Sequence, residues 1–147
     1  MFTPDEVAGI VDLFGMLTRE ETETAIAELA YRRGREPPEN AVQDALFAFA
    51  LVGFDREGER FFAPGPAAFP TFPDGAEDLP HILGVDDRAA DKALVVDAAA
   101  ARLRTEAVCA VTVAADERAA ELIDISYDLE TWSDQDFSGI RDVLDTV

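Results

Sequence analysis

Lysine is nearly missing from this chain. Of 12 basic residues eleven are arginine, and only Lys92 is lysine. Cysteine, histidine and tryptophan each occur once. A single cysteine, Cys109, excludes an internal disulfide. It lies in the apolar run Ala107–Val113, with no basic residue within four positions to lower its pKa, and reads as a small buried hydrophobe. A single histidine, His81, cannot build a zinc site of the usual kind, and no serine or cysteine beside it offers a nucleophile. It reads as a structural residue next to Pro80. No uncharged stretch approaches the ~18 residues that a membrane span requires. The N-terminus, Met1-Phe2-Thr3-Pro4-Asp5-Glu6, lacks the basic start and apolar run of a signal peptide, so a cytoplasmic location is expected.

What the chain has in excess is acid. Its 31 aspartates and glutamates give a net charge of −19 over 147 residues. The charge is spread evenly. Residues 1–80 hold 16 acids and 6 bases, net −10, and residues 81–147 hold 15 acids and 6 bases, net −9. A clustered excess would read as a disordered tail. An even one, with 48% hydrophobic residues, reads as a folded protein adapted to high salt. The length suits one domain or two small lobes.

The first half carries helix signals. Thr3 can cap, Pro4 suits the first helical position, and Asp5 and Glu6 favour the positive end of the dipole. Val7, Ile10, Val11 and Phe14 follow at helical spacing, and Gly15 ends the run. Thr18 and Glu21 form a capping box. The helix they open has Thr22, Ala25, Ile26, Leu29 and Ala30 on one face and closes at Arg32-Arg33-Gly34. After the Pro37-Pro38 loop, a third helix is expected from Ala41 to Val52, apolar nearly all round and stopped by Gly53. Phe54–Phe62 then reads as a β-hairpin with Glu57-Gly58 at its tip.

Three helices and a hairpin are the order of a winged-helix-like module. DNA binding by such a module needs cations on its third helix and wing. The expected exposed residues of that helix are Glu39, Asn40, Gln43 and Asp44, with no base among them. Arg56 and Arg60 of the hairpin alternate with Asp55, Glu57 and Glu59. Arg32, Arg33 and Arg35 form the one basic cluster, and helix capping accounts for it. The candidate nucleic-acid or partner contacts are therefore Arg32, Arg33, Arg35, Asn40, Gln43, Arg56 and Arg60, with the missing basic footprint weighing against DNA.

Residues 64–85 carry prolines at 64, 66, 70, 73 and 80, which exclude helix and central strand over the first part of the segment. Phe69, Phe72, Leu79, Ile82 and Leu83 punctuate it, so an ordered strap burying these side chains on the first module is expected. An extended Pro/Phe segment can alternatively recruit a partner.

The C-terminal half reads as helical. Asp86 or Asp87 is expected to cap a helix with Ala89, Ala93, Val96, Ala100, Leu103 and Ala107 on one face. Residues 107–113 are rich in β-branched side chains, yet no turn signal precedes them, so helix is favoured over strand. Asp116 opens a helix with Ala119, Leu122, Ile123, Ser126, Leu129 and Trp132 on its face, and Ser133–Asp136 opens a last one. Asp134–Gly139 resembles the opening of a calcium loop, with Asp145 at the twelfth position. Asp in place of Glu there and Arg141 at an aliphatic position favour a capped amphipathic helix instead. No Gly-rich phosphate loop, Ser-His-Asp set or Cys-x-x-Cys pair is present. No catalytic residue, metal or cofactor is expected.

The segments Asp5–Thr18, Arg19–Gly34 and Phe69–Leu83 resemble a family of uncharacterised proteins from halophilic archaea. The resemblance implies a saline habitat and a winged-helix-like N-terminal part, and carries over no catalytic residue. The expected fold is mainly α: a winged-helix-like module (1–63), a Pro/Phe strap (64–85), and a C-terminal helical hairpin or small bundle (86–147). The expected function is a non-catalytic protein-interaction or regulatory module, with a protein partner and a homodimer as one form of it. The Ala-rich helix and Ser133–Val147 are the expected contact surfaces. The alternative is a winged-helix transcription regulator bound to DNA.

Overall fold

The computed structural model describes residues 2–147. The capping signals near the N-terminus form as read. In helix α1 (Pro4–Asp12) the Thr3 hydroxyl accepts from the Glu6 N–H while the Glu6 carboxylate accepts from the Thr3 N–H. Thr18 and Glu21 repeat this reciprocal pair at the start of α2 (Arg19–Arg32). Val7, Ala8, Ile10 and Val11 of α1, Ala25, Ile26 and Leu29 of α2, and Ala41, Val42 and Ala45 of α3 (Ala41–Phe47) build one buried core.

The third helix is shorter than its apolar run. It ends at Phe47, and Leu51 and Val52 belong to strand β1 (Leu51–Arg56) rather than to helix. The stop is a Schellman turn. The Ala50 N–H donates to the Ala45 carbonyl and the Phe49 N–H to Leu46, with Phe49 in the left-handed region at φ 59°. No glycine marks the site, which is why an apolar run read continuously as helix. Strand β1 pairs antiparallel with β2 (Glu59–Pro64), from Leu51 opposite Pro64 to Arg56 opposite Glu59. Glu57 and Gly58 both have positive φ (52° and 81°), the two-residue hairpin turn that the Glu-Gly tip predicts. Leu17, between α1 and α2, adds a bridge to the free edge of β2 by exchanging both backbone bonds with Phe62. The N-terminal part is thus the expected winged-helix-like sequence of three helices and a hairpin.

The strap runs from Gly65 through a short 3-10 turn (Ala76–Asp78) into α4 (Leu79–Leu83). Its backbone lies against α1. The Thr71 N–H donates to the Asp5 carbonyl at 3.1 Å and the Phe69 N–H to the Asp5 carboxylate at 3.1 Å. Gly9 makes this approach possible, because a Cβ there would collide with the Thr71 carbonyl. The side chains depart from expectation. Pro73, Ala76 and Leu79 are buried, but Phe69 is 80% and Phe72 55% exposed. The contact with α1 is made by the backbone N–H groups of Phe69 and Thr71, so the side chains of residues 69–72 all remain exposed.

The C-terminal helices are α5 (Lys92–Thr112), α6 (Asp116–Trp132) and α7 (Ser138–Leu144). Residues 107–112 continue α5 as helix. The helix starts later than Asp86 or Asp87: the Asp91 carboxylate accepts from the Ala93 N–H, and Ala89 lies outside it. Cys109 is exposed, a correction to its expected burial, since it falls on the outer side of α5 between Leu103–Ala107 and Ala110. A second Schellman turn closes α5, with Ala114 at φ 52°. Arg118 of α6 reaches Glu106 of α5 at 3.1 Å. The Arg141 guanidinium of α7 holds Glu130 at 2.9 Å, donates to Ser126 Oγ and covers the Tyr127 ring at 4.0 Å, and pairing with Glu130 raises its pKa further. In the calcium-like string, Phe137 is buried and the Asp136 carboxylate accepts from the Ser138 N–H and hydroxyl, the geometry of a helix entry.

The chain divides into two compact units, Met1–Val95 and Val96–Val147.

Candidate functional site

The outward side of the N-terminal module is the region where a winged helix would present its contact surface. Gln43 and Asp44 of α3 are exposed, and Phe47 stands 51% exposed one turn on. Asn40 precedes the helix without capping it by its side chain; its carbonyl accepts from the Asp44 N–H. The face therefore offers an amide, an acid and an aromatic ring, and no cation.

The arginines singled out in the sequence have different partners. Arg32 pairs with Glu28 at 3.5 Å and with Asp78 at 3.8 Å, and donates to the Gly75 carbonyl, pinning the 3-10 turn to α2. Arg33 lies over the Phe2 ring at 5.1 Å. The Arg35 N–H closes α2 on the Ala30 carbonyl, and its side chain is exposed. On the wing, Arg60 reaches Asp55 at 3.4 Å and folds its guanidinium over Gly53. Arg56 stands exposed at the hairpin tip, opposite Glu59 in the ladder. Of these seven residues, Arg33 and Arg35 line one cavity. Arg32 and Arg60 have carboxylate partners and Arg33 an aromatic one.

The structure adds residues that local sequence reasoning passed over. Arg88 closes on Glu21 with both nitrogens, at 2.6 and 2.9 Å, donates to the Met16 carbonyl at 3.3 Å, and lies over the Phe61 ring at 5.4 Å. Its own N–H donates to the Phe14 carbonyl at 2.7 Å. Hydrogen bonding to Arg88, opposed by partial burial and aided by Thr18, lowers the Glu21 carboxyl to about 2. The same pairing raises Arg88. This is a structural clasp tying the residues after α4 to the start of α2 and to the wing. The exposed aromatics Tyr31, Phe47, Phe69 and Phe72 form the other set. Nothing local in the proline-rich segment signalled the exposure of Phe69 and Phe72, and Tyr31 had no signal beyond lying off the apolar face of its helix.

Among the described residues no three or more His, Cys, Asp or Glu side chains gather as metal ligands. No helix among them is long and apolar enough to cross a membrane. Of the Ala-rich stripe expected as a contact surface, Val96, Ala100, Leu103 and Ala107 are buried and Ala89 and Ala93 are exposed.

These features define a mainly helical protein with a winged-helix-like N-terminal module and C-terminal helices. The chain belongs to a family of unknown function, DUF7109, whose model matches residues 5–147. No curated protein and no solved structure matches it.

Proposed function

We propose that this chain is a non-catalytic protein-interaction or regulatory module working in the cytoplasm of a halophilic cell. The observation that carries the proposal is the outward side of α3, where Gln43, Asp44 and Phe47 replace the cations that a DNA-reading helix needs. An exposed aromatic flanked by polar groups is the composition of a protein contact. Phe69 and Phe72 on a backbone-anchored strap supply a second rigid apolar pair. The even acid coat and the near absence of lysine support a saline setting.

The test places a photo-crosslinking amino acid at Phe47 and, separately, at Phe69, in a halophile lysate held at molar KCl. Discrete protein adducts at either position are expected; their absence at both rejects an interaction surface there. A second copy of the chain is one candidate partner, checked by light scattering across micromolar concentrations.

The alternative is a winged-helix DNA-binding regulator. The Leu17–Phe62 bridge beside the hairpin and the exposed Arg56 at its tip favour it. Mobility shifts on genomic fragments at high KCl separate the two: a shift lost on Arg56→Ala with Arg60→Ala would displace the protein-interaction proposal.

A further inference from the structure

Two adjoining cavities flank Pro38. One, of about 260 Å³, has Phe2 and Ala30 as its floor and Arg33, Arg35 and Glu36 at its mouth. The other, of about 300 Å³, is lined by Ile26, Ala27, Pro37 and Val42 and by two acids, Glu23 and Glu39. Ile26 and Ala30 are one turn apart on α2, so the two cavities form a groove along that helix. From Glu23 to Arg33 the groove runs ten residues of helix, roughly 15 Å at 1.5 Å per residue. An extended peptide of about five residues spans the same length at ~3.3 Å each.

The ends of the groove differ in charge. Six of the eleven arginines pair with a carboxylate. Arg33 and Arg35 are ion-paired to none among the described residues; Arg33 rests on the Phe2 ring instead. Glu36 sits on the same rim without pairing to either. Two cations against one carboxylate leave the rim of this apolar, one-residue-sized cavity net positive, complementary to a carboxylate attached to a small apolar body. The second cavity, whose lining holds Glu23 and Glu39 and no base, is complementary to a cation.

We propose that this groove docks the C-terminal end of a partner polypeptide. The terminal carboxylate would meet Arg33 and Arg35, an apolar last side chain would enter the cavity over Phe2, a second apolar residue would fill the cavity beyond Pro38, and a basic residue four or five positions from the end would face Glu23 and Glu39. The proposal rests on the protein-interaction function above and gives it a ligand chemistry.

The test uses a fluorescein-labelled hexapeptide, Arg-Ser-Leu-Gly-Ser-Leu, as the free acid and as the C-terminal amide, titrated with the intact protein in 1 M KCl and followed by anisotropy. The acid is expected to bind saturably and the amide at least tenfold more weakly. Arg33→Gln with Arg35→Gln should weaken the acid at least tenfold and leave the amide unchanged. Arg33→Lys with Arg35→Lys should keep part of the preference for the acid. An unchanged thermal melt shows that the variants are folded; both positions are exposed. Equal binding of acid and amide, or no binding of either, overturns the proposal. If neither peptide binds while crosslinks still form at Phe47 or Phe69, the groove is wrong and the interaction module stands. Without crosslinks at either position, that function fails as well.

Discussion

Glu21 and Arg88 stand 67 positions apart in the chain and meet through two hydrogen bonds of 2.6 and 2.9 Å. Glu21 serves twice: its Oε1 also accepts from the Thr18 N–H at 2.9 Å, so one carboxylate caps α2 and clasps the segment after α4. Both side chains keep roughly a quarter of their surface in solvent (24% and 29%), which limits the desolvation cost and keeps the pair favourable.

This pair sets an acid limit on stability. The Glu21 carboxyl is lowered from 4.5 to about 2 in the folded chain. A depressed carboxyl stabilises the fold above its unfolded pKa, and that contribution is lost as pH falls from about 4.5 towards 2. Glu21→Gln should therefore lower stability near pH 7 by about 1–2 kcal/mol and flatten the loss between pH 4.5 and 2. Urea midpoints measured across that range in constant salt test it. Parallel wild-type and variant curves would show that Glu21 does not titrate with folding.

Gly9→Ala should cost about 1–3 kcal/mol, because the new methyl meets the Thr71 carbonyl and must push the strap off α1. The damage should be local. Proteolysis between residues 66 and 74 is expected to accelerate while helix content by circular dichroism holds. A variant cleaved no faster than the parent would mean the strap yields without detaching.

Phe49 and Ala114 occupy the same left-handed position at the ends of two helices, at φ 59° and 52°. Their replacement by glycine should act in opposite directions. Ala114→Gly removes only a strained Cβ at an exposed site and should stabilise by about 0.5–1 kcal/mol. Phe49→Gly gains the same relief but empties a fully buried site, and should destabilise by about 3 kcal/mol. Chemical denaturation of the two variants gives the signs directly; a shared sign would refute the account.

Salt should raise the melting temperature. At 1 M the Debye length is about 3 Å, short enough to screen repulsion among surface carboxylates. Raising KCl from dilute buffer to molar concentration is expected to shift the melt upward by several degrees, and Arg88→Met should not abolish the shift, since it arises from the whole acidic coat. A melt indifferent to KCl would remove the salt-adaptation argument.

The candidate surface was only partly legible before folding. Helix capping, dipole complementarity and the hairpin tip are local. They depend on residues within four positions of each other, which is why the Thr3 cap, the Thr18–Glu21 box and the Glu57-Gly58 tip were readable from the chain and formed as read, the structure adding the return bond from Glu6 to Thr3. The acidic character of α3 was equally local, because Gln43 and Asp44 lie off its apolar face. Where α3 stops was not legible, since an apolar residue, Phe49, takes the left-handed position that glycine usually marks.

Amino-acid order alone determined the helical class, the winged-helix-like succession of elements and the even acid coat, all of which follow from short-range pattern and composition. Tertiary structure alone decided which arginines are already engaged, that Phe69 and Phe72 face outward while Thr71 takes the contact with α1, that Cys109 is exposed, and that Arg33 and Arg35 border a cavity. Those outcomes depend on which distant backbone arrives beside a given residue. Arg88 reaching Glu21, and Thr71 settling against Gly9, are set by how the whole chain closes rather than by neighbours in sequence.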